Sequence, residues 1–296
     1  MSKANLIYFG SPGFSAQILE SILKNKSSEI NVVGVVTQPD TKVGRDQKLT
    51  PSSVAQVAGG YDLPVFKPIK LDDSNLSHLK LLKPDIFLVV SYGKIIPKSW
   101  LATPSIGTFN LHFSLLPKYR GALCISEAVR NQDQVTGVTL MAMSEGLDQG
   151  PLIQSREVNI DIDDNVESLT TKLTRIAILL LGEYLPLLAN KKFSSNPQNN
   201  DKATLTPTTK TRNRDSAFIG WSVIQKALIG EDATKTHALI RSLNPDPGAW
   251  TKVDNLEIKL IQTHLNQKEN KLSLEIVQVP GKKPISWSQF QIGHSI

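Results

Sequence analysis

The chain has 296 residues, 40% of them hydrophobic and 20% charged, which is enough apolar material for one large or two ordinary domains and excludes an intrinsically disordered chain. Its one cysteine, Cys124, excludes an intramolecular disulfide framework and suits a reducing compartment, where it reads as a small buried apolar residue. The formal charge of +6 is unevenly spread: residues 1–190 hold 18 Lys plus Arg against 18 Asp plus Glu, and residues 191–296 hold 15 against 9, an asymmetry expected when one part of a chain approaches a polyanion.

From the N-terminus, Asn5 to Phe9 already reads as a core strand, so no signal or transit peptide is expected. The longest apolar run, Ile176 to Leu181, is too short to span a bilayer, and a cytoplasmic protein with no membrane attachment is the expectation. Leu6 to Phe9, Val32 to Val36, Ile86 to Val90 and Thr108 to Leu111 are short apolar or β-rich runs, separated by helical patterns such as Ser15 to Leu23 and Leu76 to Leu82. This alternation predicts the α/β class, with a mostly parallel sheet covered by helices on both faces and sites beyond the carboxyl ends of its strands. Gly10-Ser11-Pro12-Gly13 follows the first strand but lacks the G-x-G-x-x-G of a dinucleotide site, so a plain strand-to-helix turn explains both glycines. There is no P-loop. The five histidines are widely scattered, no metal site is predicted, and His78, His237, His264 and His294 read as surface or structural residues.

A long helical candidate, Val166 to Leu188, closes the first domain. Lys191 to Ser216 then loses apolar periodicity, gains Asn, Thr, Pro and Ser, and holds six basic residues against two acidic ones, the composition of a linker. Beyond it Thr234 to Leu243 looks helical, and short β patterns recur at Trp250 to Val253, Leu256 to Ile261 and Leu272 to Val277. The expected division is residues 1–190, a basic linker 191–216, and a mostly β domain 217–296 for which a small barrel is reasonable.

Asn110-Leu111-His112 carries the chemistry. At the end of a strand successive side chains alternate, so Asn110 and His112 project from one face, a spacing that suits two groups acting on one atom. Asp148, in Gly146-Leu147-Asp148-Gln149-Gly150, follows the apolar segment Gly137 to Met143 and must join them by tertiary folding. An amide, an imidazole and a carboxylate suit acyl transfer: the amide donates to a developing oxyanion, the imidazole shares that charge or moves a proton, and the carboxylate orients the imidazole. No Ser or Cys nucleophile is required.

The run NLHFSLLPKYRG from Asn110 to Gly121, with TGVTLMAMSEGLDQG from Thr136 to Gly150, closely resembles the folate-dependent formyltransferase family. The resemblance implies a Rossmann-like formyltransferase domain in which Asn110, His112 and Asp148 are catalytic, the cosubstrate is 10-formyltetrahydrofolate, and Ser114, Leu115, Leu116 and Pro117 line the folate site. The segment VVSYGKIIP, Val89 to Pro97, resembles the strand and loop whose backbone receives the pteridine ring, which carries over Val90, Tyr92 and Gly93. Thr37 to Pro68 is similar to a stretch holding a basic loop that engages a tRNA acceptor stem, and carries over Arg45 and Lys48; IRSLNPDPGAW from Ile240 and VPGKKPISWSQFQIG from Val279 resemble the second, OB-like β-barrel domain of the same family members. The resemblance therefore implies initiator methionyl-tRNA as the partner, for translation initiation; a monomer is the expectation, although the sequence itself does not reveal oligomeric state. Leu123-Cys124 stands where the family usually has a small residue and Pro, and Asp46 and Gln47 dilute the basic loop. Three rivals remain open on sequence: a formyltransferase acting on an amino-sugar nucleotide, a formyltetrahydrofolate hydrolase, and a non-catalytic RNA-binding protein.

Overall fold

Each of the four apolar runs becomes a strand of one seven-stranded sheet. In chain order the first part comprises β1 (Ala4–Gly10), α1 (Gly13–Lys24), β2 (Ile30–Val36), β3 (Thr41–Val43), β4 (Lys48–Thr50), α2 (Ser53–Gly60), β5 (Val65–Phe66), α3 (Asp73–Lys80), β6 (Ile86–Val90), α4 (Lys98–Leu101) and β7 (Gly107–His112). There follow α5 (Cys124–Arg130), β8 (Val135–Ala142), β9 (Leu152–Asn159) and α6 (Val166–Ala189). The structure, a computed structural model, describes residues 3–25, 27–44, 46–254 and 256–294. The chain folds as two compact units, one of residues 1–122, 137–158 and 171–205, the other of residues 123–136, 159–170 and 206–296.

In the first unit the strand order is β5-β2-β1-β6-β7-β8-β9. The pairs β2–β5, β1–β2, β1–β6 and β6–β7 are parallel, and β8 then runs antiparallel to β7. Every residue of β6 is buried, and β1 is buried at all but one position, the pattern of parallel strands covered on both faces. One packed cluster gathers Phe9, Phe87, Tyr92 and Trp100, with the Phe9 ring 4.9 Å from Phe87 and 5.6 Å edge-on to Tyr92. Along α6 the buried positions Leu173, Ala177, Leu180, Leu181 and Leu188 recur at helical spacing.

The turn after β1 is as plain as its sequence suggests. Gly10 ends the strand because a Cβ there would stand 2.1 Å from Ser15 Oγ and 2.9 Å from the Val90 carbonyl oxygen. Ser15 Oγ itself donates to that Val90 carbonyl at 2.8 Å, so the start of α1 is tied to the end of β6. The sheet's carboxyl edge is thereby fixed at the strand next to β7.

The second unit holds α7 (Trp221–Leu228), α8 (Ala233–Leu243), β10 (Trp250–Val253), β11 (Leu256–Asn266), β12 (Lys271–Gln278), β13 (Ile285–Ser286) and α9 (Trp287–His294). Its four strands form an antiparallel sheet in sequence order. Ile224, Ile240, Leu260, Leu274, Val277 and Phe290 share its core. In β11 the register shifts between Leu260 and Thr263, and the alternation of buried and exposed side chains changes phase there, with Ile261 and Gln262 both exposed. No helix among the described residues is long and apolar enough to cross a membrane.

Candidate active site

The last residues of β7 meet the loop that follows β8. Asn110 faces Val89 of β6 on one side and Met141 of β8 on the other, and His112 faces Thr139. Both side chains are buried, Asn110 at 8% and His112 at 7% exposure, and they emerge from the same face, as the two-residue spacing predicts. β8 ends at Ala142, and the connection to β9 brings back Asp148, whose backbone is left-handed at φ 49°.

Three groups converge on that carboxylate. Asn110 Nδ2 donates to Asp148 Oδ1 at 3.2 Å, the Gly121 backbone N–H donates to Oδ2 at 2.8 Å, and His112 Nδ1 lies 3.6 Å from Oδ2. The other imidazole nitrogen, His112 Nε2, is 2.9 Å from the Tyr119 carbonyl oxygen. A carbonyl only accepts, so Nε2 carries a proton and Nδ1 is the ring atom turned toward Asp148. Nδ1 and the carboxylate are thus neighbours between which a proton can pass.

The loop after β7 is held as firmly. Thr139 Oγ1 donates to the Ser114 carbonyl at 2.7 Å and Ser114 Oγ donates to the Lys118 carbonyl at 2.6 Å. Left-handed backbone at Tyr119 (φ 61°) and φ 114° at Gly121 turn the chain so that the Tyr119 carbonyl meets the imidazole and the Gly121 N–H meets Asp148. Ser114 and Leu116 are buried, while Leu115 and Pro117 are half-buried.

The segment expected to receive a pteridine leaves β6 beside this loop. Val89 pairs with Asn110, so the chain from Ser91 onward lies at the same sheet end as His112. Val90 and the Tyr92 ring are buried in the core, whereas Gly93 is exposed; burial pushes the Tyr92 phenol up to about 12. Of these three residues, then, only the Gly93 backbone is open to a ligand. The chain is shaped for that: Ser91 and Gly93 are both left-handed, at φ 54° and 84°, and the Tyr92 carbonyl is already held by Gln38 Nε2 at 2.9 Å. This exposed backbone and the partly exposed apolar pair Leu115 and Pro117 fit a flat heterocycle that needs both polar edges and an apolar face.

Lys48 stands on the exposed hairpin β3–β4, which follows the carboxyl end of β2, and pairs across it with Val43. Arg45 lies outside the described residues. The structure thus joins Asn110, His112 and Asp148 directly; Lys48 is on the separate hairpin. Among the described residues no group of three or more His, Cys, Asp or Glu could hold a metal ion. Cys124 is buried.

Sequence reasoning missed the Tyr119 carbonyl, the Gly121 N–H, Thr139 and a polar segment beyond α6. From that segment Gln198 Nε2 donates to the carbonyls of Asp148 (2.8 Å) and Gly150 (2.7 Å), and its Oε1 accepts from Arg120. Backbone groups have no sequence signature, and a lone Gln in a polar stretch has none either.

Comparison with known proteins places this geometry. Residues 3–182 match the family described as formyl transferase, and residues 230–281 match the formyl transferase C-terminal domain. The methionyl-tRNA formyltransferase of Kosmotoga olearia is 32% identical over 98% of this chain and 97% of its own, and that of Dictyoglomus thermophilum is 36% identical over 95% and 86%. Among solved structures, an N-formyltransferase from Helicobacter canadensis in complex with folinic acid and dTDP-3-aminofucose shares the fold at a TM-score of 0.64, with 22% identity over 89% of this chain and 88% of its own. The methionyl-tRNA formyltransferase from Clostridium thermocellum does so at 0.61, with 15% identity over 93% and 98%. This chain is an enzyme and belongs to the formyl transferase family.

Proposed function

We propose that the enzyme transfers the formyl group of 10-formyltetrahydrofolate to the α-amino group of methionine carried by an initiator tRNA, for translation initiation. The observation that carries this reading is the convergence of Asn110, His112 and Asp148 at the carboxyl end of β7, in a chain whose full-length relatives bear that activity in their names. The folate supplies the formyl carbonyl and, at N10, the leaving nitrogen. Ser91 to Gly93 and Ser114 to Pro117 would hold it.

Asn110 has two amide hydrogens. One is engaged by Asp148 Oδ1, and the other serves the carbonyl oxygen as negative charge builds on it, a contribution of roughly 3 kcal/mol for one well-placed donor. His112, its Nε2–H fixed by the Tyr119 carbonyl, presents Nδ1 to the same region and shares that charge when Nδ1 carries a proton drawn from solvent. A free α-amino group titrates at about 7.7 to 8.0, so near neutral pH it first gives up its ammonium proton to solvent and attacks as the neutral amine. The attack forms the new C–N bond and a tetrahedral adduct, and Asp148, held by Asn110 and Gly121, is the base beside His112 that takes the proton the adduct's amine nitrogen then loses. The adduct collapses with cleavage of the bond to the folate nitrogen, and the proton held by Asp148 is delivered to that nitrogen.

Arg45, Lys48 and the basic residues after position 190 are the proposed phosphate contacts. The reading carries with it a cytoplasmic location. Single-turnover formyl transfer tests the assignment of roles. Asn110→Ala is expected to lower the rate on the order of 10²- to 10³-fold, and Asp148→Asn at least as much, with tRNA binding retained. Turnover like that of the wild type in either variant would sink the assignment.

A further inference from the structure

We infer that Gln198 is a positioning residue of the active site, setting the orientation of Asp148 through the peptide groups on either side of its turn. The inference rests on the formyl-transfer reading of Asn110, His112 and Asp148. Its basis is a closed ring of hydrogen bonds. The Asp148 carboxylate accepts from the Gly121 N–H; Arg120, the residue before, donates from Nε and a terminal nitrogen to Gln198 Oε1 at 3.1 and 2.7 Å; and Gln198 Nε2 returns to the carbonyls of Asp148 and Gly150. Both amide hydrogens and both lone pairs of Gln198 are therefore used, the most a glutamine can do.

The ring matters because Asp148 is otherwise in an unfavourable backbone state. Left-handed conformation costs a non-glycine residue about 1 kcal/mol or more, and it persists only where the surroundings over-determine it. The carboxylate is held by Asn110 and Gly121, but its backbone carbonyl is held by Gln198. Gln198 is placed in turn by Arg120, whose side chain is 4% exposed and also donates to Asn200 Oδ1 at 2.8 Å. The strand-like approach of the segment is set by exchange of backbone hydrogen bonds between Leu152 and Asn196, both at 2.8 Å, and by the Arg120 N–H donating to the Thr204 carbonyl at 2.8 Å. Tyr119, whose carbonyl fixes His112, donates its own N–H to Thr204 Oγ1 at 2.8 Å. Residues 196–204 thus fasten both loops that carry the chemistry, and Gln198 is the one side chain among them that touches the Asp148 peptide.

None of residues 194–205 is buried, so substitution at 198 leaves the core intact. Gln198→Glu keeps an acceptor for Arg120 but turns a carboxylate oxygen toward two carbonyls, and Gln198→Met keeps the length while removing all four hydrogen bonds. Both are expected to lower kcat on the order of 10- to 100-fold, the cost of a misplaced catalytic group, while KM for tRNA and for 10-formyltetrahydrofolate stays within about twofold. Asn190→Ala, which removes an exposed amide bonded to the Pro186 carbonyl at the end of α6, is the control and should hold kcat within about twofold. Unchanged kcat in both Gln198 variants would overturn the inference, as would a fall that comes with an equal rise in KM, or loss of folding in both, since those mark a structural residue only. A wild-type enzyme inactive on any tRNA would instead overturn the functional reading itself.

Discussion

A histidine can be buried as a reactive group or as a satisfied one, and this chain has both. His112 sits beside a carboxylate. His237, fully buried in the second unit, has Nε2 3.0 Å from the Ile162 carbonyl, to which it donates, and Nδ1 2.8 Å from Thr263 Oγ1, whose hydroxyl supplies the complementary hydrogen. Burial first, and the Arg241 guanidinium second, hold its pKa down to about 4, against the pull of Asp163 at 3.3 Å. The unfolded imidazole titrates at about 6.5, so between those values the folded protein binds fewer protons than the unfolded chain. Stability is then complete above pH ~6.5 and falls as the pH drops toward 4. Denaturant melts from pH 7 to pH 4 check this: His237→Gln should be less stable at neutral pH yet lose less on acidification, and parallel curves for the two proteins would contradict it. Sequence alone marked His237 as a surface or structural residue because no motif surrounds it, and marked Asn110 and His112 as a pair because strand period brings them to one face. It could not supply the backbone groups that fix the site, the Tyr119 carbonyl for His112 and the Gly121 N–H for Asp148, since such groups carry no side-chain signature.

At the scale of elements, the connection from β8 to β9 is what delivers Asp148, and Gly150 closes it. A Cβ on Gly150 would stand 1.7 Å from the Ala142 carbonyl oxygen, so any side chain there must push the loop off the end of β8. Gly150→Ala is expected to cost about 1 to 3 kcal/mol by overpacking. Since Gln198 also holds the Gly150 carbonyl, kcat should fall with the melting temperature. A thermal melt and a formyl-transfer rate on the same preparation decide it, and an unshifted melt would contradict the close approach. The central strands were legible because parallel strands buried on both faces read as continuous apolar runs, as β6 does. β11 was legible only to Ile261, since the bulge after Leu260 breaks the alternation on which the reading depends. β9 escaped notice: it lies at the sheet edge, and its burial pattern lacks the apolar run of an inner strand. Residues 196–204 read as linker because they are fastened by amide and hydroxyl side chains and by backbone, none of which produces a hydrophobic period.

For the whole molecule, the charge distribution agrees with a large anionic partner. The formal excess of positive charge lies entirely after residue 190, and the exposed hairpin bearing Lys48 adds a second basic feature beyond the carboxyl edge of the sheet. An acceptor the size of a nucleotide sugar would not require such a field, whereas a tRNA draws much of its affinity from one. The most direct test is formyl transfer from 10-formyltetrahydrofolate with methionyl initiator tRNA, methionyl elongator tRNA, an amino-sugar nucleotide and no acceptor in parallel, while free formate is followed. Selective formylation of the initiator tRNA is the predicted result. Formate release without an acceptor, or transfer to the amino sugar alone, would contradict the account.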